Sequence, residues 1–147
     1  MQKVRSVTRR RRGAAAAELA ILLPVLVTIV LGCVDFGRFV YNYIAVVNAA
    51  RAGAAYGSMN NYTTSTLSTW QAGVVQATKD EMAQQVGTAN VSNITVTVVA
   101  SRDSNGLRRV RVTASYPFTT IMQWNWSGLG LPNSFTLSQQ AELRLIR

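Results

Sequence analysis

Histidine is absent from this sequence of 147 residues, and cysteine occurs only once. The chain therefore has no internal disulfide, no Cys/His zinc cluster and no histidine-based catalytic dyad or triad. Acidic residues are also few, and those of the C-terminal region are Asp80, Glu81, Asp103 and Glu142. No pair of them suggests a shared catalytic site. We expect a protein that is not an enzyme and that uses no metal, cofactor or small-molecule substrate.

Positive charge is concentrated at the N-terminus. Lys3, Arg5 and the arginines at 9–12 are 6 of the 15 basic residues, which leaves 9 basic against 6 acidic groups in the remaining 135 residues. A basic arm attached to a folded domain can bind nucleic acid, and a chain that stayed soluble without detergent would favour that alternative. Here the arm runs directly into an apolar segment, so we do not expect a nucleic-acid partner.

Residues 13–34 form an apolar run of 22 residues in which Glu18 carries the only charge. A helix of this length extends about 33 Å and can cross a hydrocarbon core of roughly 30 Å. The alternative is a buried helix of a soluble protein, but the rest of the chain offers little with which to wrap it. By the positive-inside rule, the arginine-rich tail stays in the cytoplasm and the chain after Asp35 lies across the membrane.

Removal, lipidation and retention of this segment remain open alternatives. Residues 31–35 are a poor signal-peptidase site. Residues 30–33 approximate a lipoprotein box, in which Cys33 would be acylated and become the first residue, although Leu31 stands where a small residue is usual. Otherwise Cys33 is a small apolar residue in a helix.

Glu18 needs an explanation because a carboxylate in an apolar membrane helix costs on the order of 3 kcal/mol. It lies five residues after Gly13, and this order of arginines, glycine, small residues and glutamate resembles the processing site of type IV prepilins. The resemblance implies cleavage between Gly13 and Ala14 by a prepilin peptidase, and pairing of Glu18 with the α-amino group of a neighbouring subunit. Such a pair neutralises two buried charges. A glutamate that reaches back to the lipid headgroups is the alternative.

A closer resemblance extends over about residues 9–57. The residues that carry it, besides Glu18, are Pro24, Asp35, Phe36, Gly37, Arg38, Asn48, Arg51 and Gly53. Their order and spacing resemble the TadE-like family of minor pseudopilins, although Leu19 stands where that family often has an aromatic residue. The resemblance implies a structural component of a tight-adherence (Flp, type IVb) pilus assembly system in the bacterial inner membrane.

The implied partners are the prepilin peptidase, other pilins and pseudopilins, pilus assembly membrane proteins and the lipid bilayer. The alternative function is a single-pass or lipid-anchored envelope protein with a small ligand-binding or protein-binding domain. In that protein Glu18 would be dispensable.

The helix is predicted to continue past the membrane to Gly57. Apolar residues recur every three to four positions at Phe36, Val40, Tyr43, Val47, Ala50 and Ala54. We expect this stripe to be covered by the C-terminal region. Pro24 is expected to bend or loosen the helix, and Asp35 and Arg38 to pair or to contact headgroups.

The chain therefore divides into a basic cytoplasmic leader at 1–13, a transmembrane and projecting helix at 14–57, and an extracytoplasmic α+β domain at 58–147. Residues 58–69 are polar and predict a loop. A second amphipathic helix, capped by Gly87, is indicated by Trp70, Val74, Ala77, Met82 and Val86.

Two alternating segments around Asn105-Gly106 predict an antiparallel hairpin. A two-residue loop would place Val98 opposite Thr113, so that an apolar residue of one strand would share a face of the sheet with a polar residue of the other. A three-residue loop over 104–106, with Gly106 in the left-handed conformation, instead gives the pairs Val96 with Ala114, Val98 with Val112 and Ala100 with Val110. We expect the second register.

A third strand is predicted from the alternation of Phe135, Leu137, Ala141, Leu143 and Leu145 with polar residues. We expect three antiparallel strands whose apolar face is covered by the projecting helix. Residues 117–134 form the predicted connection, in which Trp124 and Trp126 either dock a partner or cover the core of the domain itself. Arg108, Arg109 and Arg111 are expected to lie on a solvated strand face.

Overall fold

The computed structural model describes the backbone of residues 7–122 and 132–145, and the side chains of these residues except 7–12 and 88–90. The elements are helix α1 (Val7–Met59), helix α2 (Leu67–Val86), a 3-10 helix (Thr88–Asn93), and strands β1 (Thr95–Arg102), β2 (Arg108–Thr119) and β3 (Ser134–Arg144). Strand β2 lies between β1 and β3 and is antiparallel to both. The predicted α+β class is confirmed, with a long N-terminal helix, a second helix and a three-stranded sheet.

Helix α1 extends beyond both predicted ends. It contains the whole of residues 14–57, begins at Val7 inside the arginine-rich segment, and ends at Met59. Beyond its end, the Asn60 backbone N–H and side-chain Nδ2 both donate to the Tyr56 carbonyl oxygen, at 3.2 and 2.8 Å. These bonds satisfy a carbonyl group that the helix end leaves without an intrahelical partner.

The buried face of α1 differs from the predicted stripe. Phe36, Val40 and Tyr43 point outward and are 67%, 36% and 39% exposed, whereas Ala50 and Ala54 are buried as predicted. The buried residues of the projecting half are Asp35, Ala45, Val46, Ala49, Ala50, Gly53, Ala54, Gly57 and Ser58. Small residues line this face because they let the helix backbone come close to α2 and the sheet.

Helix α2 begins at Leu67, three residues before the predicted start at Trp70, and ends where predicted. Gly87 caps it as expected, with φ of 82°, and its N–H donates to the carbonyl oxygen four residues earlier at 3.0 Å. Its buried side chains are Trp70, Val74, Thr78 and Met82. Thr78 occupies the inward position predicted for Ala77, which is only half-buried.

The two helices cross at glycine residues. A Cβ atom built on Gly53 would lie 2.0 Å from the Thr78 Oγ1, and one built on Gly73 would lie 2.7 Å from the Tyr56 hydroxyl oxygen. The buried Thr78 hydroxyl donates to the Val74 carbonyl oxygen at 2.8 Å, so its polar group is satisfied within α2. An added side chain at Gly53 would therefore collide with the buried Thr78, whereas at Gly73 it would displace the ring of the partly exposed Tyr56.

The β1–β2 register is the predicted one. The facing pairs include Val96 with Ala114, Val98 with Val112 and Ala100 with Val110. The turn is closed by the Asp103 N–H, which donates to the Leu107 carbonyl oxygen at 2.8 Å. Gly106 has a φ of 76°, in the left-handed region that the three-residue loop requires.

Strand β2 continues through Thr119, so the prediction that the connection begins at residue 117 is wrong. Phe118 is buried and faces Phe135 of β3. Pro117 fits in this central strand because β1 pairs only as far as Ser115, which leaves β2 with a single neighbour at the proline.

Strand β3 carries the predicted alternation, although its inward face is unevenly covered. Leu137 is buried, whereas Phe135 and Leu143, near the two ends of the strand, are 37% and 43% exposed. Trp124 and Trp126, predicted to dock a partner or to cover the core, lie outside the described residues.

The core lies between the projecting half of α1, helix α2 and the inner face of the sheet. One buried cluster contains Ala45, Val46, Ala49, Ala50, Met82, Ile94, Ala114, Phe118 and Leu137. The second cluster, towards the C-terminal end of α1, contains Ala54, Trp70, Val74, Val110 and Val112. Of the α1 residues whose side chains the structure describes, those that precede Asp35 contribute to neither cluster.

Candidate functional site

The predicted processing site lies in the N-terminal part of α1. Gly13 and Ala14 have helical backbone and are exposed, and a Cβ atom on Gly13 would meet no atom within 4 Å. Glu18 is also exposed and follows Ala14 by four residues, so both lie on one face of the helix, one turn apart. The three residues are accessible to a partner.

Helix α1 is the one candidate membrane span in the described part of the chain. The candidate covers Gly13–Met59, and only 6% of its most apolar stretch is buried. The helix continues through Pro24, whose carbonyl oxygen accepts a hydrogen bond from the Thr28 hydroxyl at 2.8 Å. These properties are consistent with a single membrane span.

A buried carboxylate joins the end of the apolar stretch to the sheet. The Asp35 side chain is 7% exposed. Its Oδ1 accepts from the Ile121 N–H at 2.9 Å and its Oδ2 from the Met122 N–H at 3.2 Å. Hydrogen bonds to an ionised acceptor are stronger than those between neutral groups. Asp35 thus attaches α1 to the chain that follows β2.

Arg38 completes this attachment. Its Nη1 lies 3.1 Å from the Asp35 Oδ1, which confirms the predicted pair, and 3.4 Å from the Thr119 carbonyl oxygen. The guanidinium carbon lies 5.5 Å from the centroid of the Phe118 ring, within the range of a cation–π contact. We call Asp35, Arg38, Thr119 and the Ile121 and Met122 amides the exit clamp.

A groove of about 790 Å³ opens beside the exit clamp. Its lining includes Cys33, Arg38, Tyr41, Gln85, Pro117 and Thr119. The Thr120 N–H donates towards β3, to the Asn133 carbonyl oxygen at 3.0 Å. Alternate residues of a strand direct their backbone groups to opposite sides. The backbone groups of Thr119 and Pro117 therefore point away from β3, to the side on which β2 has no neighbouring strand here. Proline has no N–H, so this edge of β2 is a poor template for an added strand.

The remaining family-like positions do not gather at one place. Gly37 lines the groove, Phe36 and Arg51 are exposed, Asn48 is half-buried, and Gly53 lies at the crossing with α2. Cys33 is a free, exposed cysteine at the rim of the groove. Among the described residues of the predicted motif, Asp35 and Arg38 pair in the exit clamp, and Gly37 lines the groove beside them.

A network of charges lies near the turn between β1 and β2. Arg109 lies 3.2 Å from Asp103 and 3.0 Å from Glu142, Arg111 lies 2.9 Å from Glu142, and Arg144 lies 3.3 Å from Asp103. We call these five residues the strand-face network. It links the β1–β2 turn, β2 and β3 on the outer face of the sheet.

The network lowers the pKa of both of its carboxyl groups. Hydrogen bonds from Arg109 and then Arg111 hold the pKa of Glu142 below its ordinary value of 4.5. For Asp103, burial acts to raise the pKa, but hydrogen bonds from the Leu107 amide, from Arg109 and from a second backbone amide outweigh it. Both groups therefore stay ionised at neutral pH.

Sequence reasoning missed the partners of the exit clamp. One signal was present, because Phe118 continues the alternation of β2 past Tyr116, although the predicted connection begins at Pro117. The Ile121 and Met122 amides have no sequence signal, since every residue except proline supplies a backbone N–H.

Comparison with known proteins gives one match. Residues 13–55 fit the model of a family described as TadE-like protein. The matched segment contains Gly13, Glu18 and the α1 residues of the exit clamp, and it ends before α2 and the sheet. No curated protein and no solved structure matches the chain.

Proposed function

Over residues 13–55 the chain belongs to the TadE-like family, and from this premise we propose that it is a minor pseudopilin-like component of a tight-adherence pilus assembly system. Family membership implies a pilin-like protein associated with Tad pilus assembly. The proposal adds that a prepilin peptidase processes the chain and that its role is structural. TadE-like pilins are generally structural proteins without enzymatic activity.

The observation that carries this proposal is the outward face of α1. Phe36, Val40, Tyr43 and Ile44 are 67%, 36%, 39% and 50% exposed on the part of the helix that projects beyond the apolar run. A contiguous exposed apolar surface marks an interaction site. This surface continues the span at 13–34, so packing against helices of other subunits would cover it both inside and beyond the bilayer.

The proposed topology places the arginines at 9–12 in the cytoplasm and the sheet on the other side of the membrane. The exit clamp then lies directly at the membrane surface, because Asp35 follows the apolar run. Its contacts hold the sheet domain against α1 at this level. A subunit assembled through α1 would therefore present its sheet domain in a fixed orientation.

The proposed roles of Gly13, Ala14 and Glu18 follow from their accessibility. Glycine lowers helix stability by about 1 kcal/mol relative to alanine, which lets a peptidase unwind the helix at Gly13 more easily. Cleavage would leave Ala14 as the N-terminus. Glu18 could then pair with the α-amino group of a neighbouring subunit, so that neither charge is buried alone.

The test is the intact mass and N-terminal sequence of the chain recovered from membranes of its own host. We expect a mature chain that begins at Ala14, and loss of cleavage in Gly13→Leu because the larger side chain blocks the peptidase. The matched control is Gly37→Leu, which changes a glycine of the same helix that also has no atom within 4 Å. The control should be cleaved normally.

Other N-termini would contradict the proposal. A chain that begins at an acylated Cys33, or one that keeps its arginine tail, would favour an envelope anchor with a separate binding domain. That alternative also predicts that Glu18→Gln leaves the function of the protein unchanged, whereas the proposal predicts a loss of assembly.

A further inference from the structure

A second pocket, of about 450 Å³, lies beside the β1–β2 turn. Its lining residues are Asn61, Arg102, Gly106, Leu107, Arg108 and Leu145. We call it the distal pocket, because residues 35–59 of α1 place about 36 Å of helix between the exit clamp and the level of Asn61. Under the proposed topology, lipid headgroups are out of reach of this pocket.

Two arginines face each other across the strands of the distal pocket. Arg102 and Arg108 are directly paired in the register of β1 and β2. Like charges at directly opposite positions destabilise a sheet. Arg108, Arg109 and Arg111 were predicted to lie on one solvated strand face. The prediction is wrong for Arg108, because its side chain lines the distal pocket on the opposite face of the strand.

Arg108 is held in place before any ligand binds. Its Nη1 donates to the Tyr62 carbonyl oxygen at 2.6 Å, and its guanidinium carbon lies 4.8 Å from the centroid of the Tyr62 ring. The Tyr62 ring in turn lies 4.5 Å from that of the buried Trp70. A guanidinium group fixed in this way loses little conformational freedom on binding an anion.

No carboxylate in the described part of the chain pairs with either pocket arginine. Asp103 and Glu142, the acidic residues nearest in the fold, form their ion pairs with Arg109, Arg111 and Arg144 on the outer face. The strand-face network itself holds three arginines against two carboxylates. The end of the sheet at the turn is therefore positive on both faces.

We infer that the distal pocket binds a carboxylate side chain from an acidic segment of a partner protein. The planar guanidinium forks of Arg102 and Arg108 suit a carboxylate. The Asn61 amide adds a polar group, while Leu107 and Leu145 offer apolar surface that a peptide can cover and a free inorganic anion cannot. This inference does not depend on cleavage at Gly13.

The test measures binding of a labelled hexaglutamate peptide to the full chain in detergent micelles, by fluorescence anisotropy at low salt, with hexaglutamine as the neutral peptide. We expect Arg102→Gln to weaken binding about tenfold or more, the loss of one charge-assisted hydrogen bond. The matched control is Arg111→Gln, which removes the same charge from the outer face of the sheet and should change the affinity by less than about twofold.

A second readout separates binding from a structural role. Because Arg102 faces a like charge, Arg102→Gln should leave the thermal unfolding midpoint of the ligand-free chain unchanged or raise it. Absence of hexaglutamate binding, an equal loss in both variants, or equal binding of hexaglutamine would overturn the inference. So would inorganic phosphate that displaces the peptide at equal carboxylate and phosphate concentration, since the pocket would then be a simple anion site.

Discussion

Asp35 is the residue whose surroundings say most about how the helix meets the sheet. A carboxylate at the end of an apolar run can face headgroups, solvent or protein, and here it faces the Ile121 and Met122 amides and Arg38. Its charge is compensated by hydrogen bonds rather than by water. Removing it leaves donors without an acceptor, which costs more than the bonds themselves contribute.

We expect Asp35→Ala to lower the free energy of unfolding by about 2–4 kcal/mol, because two backbone donors and one guanidinium group lose their acceptor. Asp35→Asn should have a smaller effect, since one carbonyl oxygen remains. The measurement is chemical unfolding of the full chain in micelles, together with hydrogen exchange of the Ile121 and Met122 amides.

The control is Asp80→Ala, which removes an exposed carboxylate that accepts one hydrogen bond from Gln76 on the same helix. It should change stability by no more than about 0.5 kcal/mol. Unchanged exchange of the two amides in Asp35→Ala would show that the exit clamp does not hold this part of the chain.

At the scale of the elements, the spacing between α1 and α2 is set by glycine. Gly53 packs against Thr78, and a Cβ atom added to Gly53 would lie much closer to the Thr78 Oγ1 than a normal van der Waals contact allows. This explains why small residues, rather than the large apolar side chains of the same helix, occupy the buried face.

Gly53→Ala should destabilise the chain by about 1–3 kcal/mol, because the added methyl group forces α1 and α2 apart. Combining it with Thr78→Ala removes the Oγ1 that the methyl group meets, so the double variant should be more stable than the sum of the single variants predicts. Thermal unfolding of the full chain in micelles measures both effects.

The matched control is Gly37→Ala, a glycine of the same helix with no atom within 4 Å of an added Cβ. It should be neutral, or stabilising by up to about 1 kcal/mol, through helix propensity alone. Equal effects of the two substitutions would mean that the close crossing at Gly53 is not limiting.

At the scale of the whole molecule, one helix serves two environments. Before Asp35, α1 exposes apolar side chains in every direction, and after it the same helix supplies one wall of the core. The exit clamp joins helix and sheet at the start of this wall, whereas the strand-face network joins β2 and β3 to the β1–β2 turn. The network makes the stability of the sheet depend on pH.

The pKa of Glu142 is lower in the folded chain than its ordinary value of 4.5, so the ion pairs contribute fully above about pH 4.5 and are lost as the pH falls through the lowered value. The same sign holds for Asp103, whose pKa is lowered from 3.8. We expect Glu142→Gln to lower the thermal midpoint modestly at pH 7, since the pairs are partly exposed.

The difference in thermal midpoint between the variant and the unchanged chain should narrow as the pH falls from about 4.5 through the lowered pKa of Glu142, because the unchanged chain then loses the charge that the variant already lacks. High salt should also narrow it at pH 7. A difference that stays constant with pH would mean that Glu142 acts through packing rather than through its charge.

The amino-acid sequence was sufficient to predict the features that depend on neighbours along the chain. Periodicity located both helices and all three strands, the Gly106 turn and the alternation of apolar residues established the hairpin register, and the run at 13–34 indicated the span. The residues of the TadE-like segment were also identified from their order alone. Each of these follows from local backbone geometry and from apolar spacing.

Tertiary packing was needed to establish which face of α1 is buried and which backbone groups Asp35 and Arg108 contact. Both faces of α1 carry apolar residues at helical spacing, so periodicity could not separate Phe36 from Ala45; the packing of Ala45 in the core did. The acceptors and donors around the exit clamp are backbone groups more than 80 residues away along the chain. Such partners are set by the packing of the elements, and no side-chain pattern encodes them.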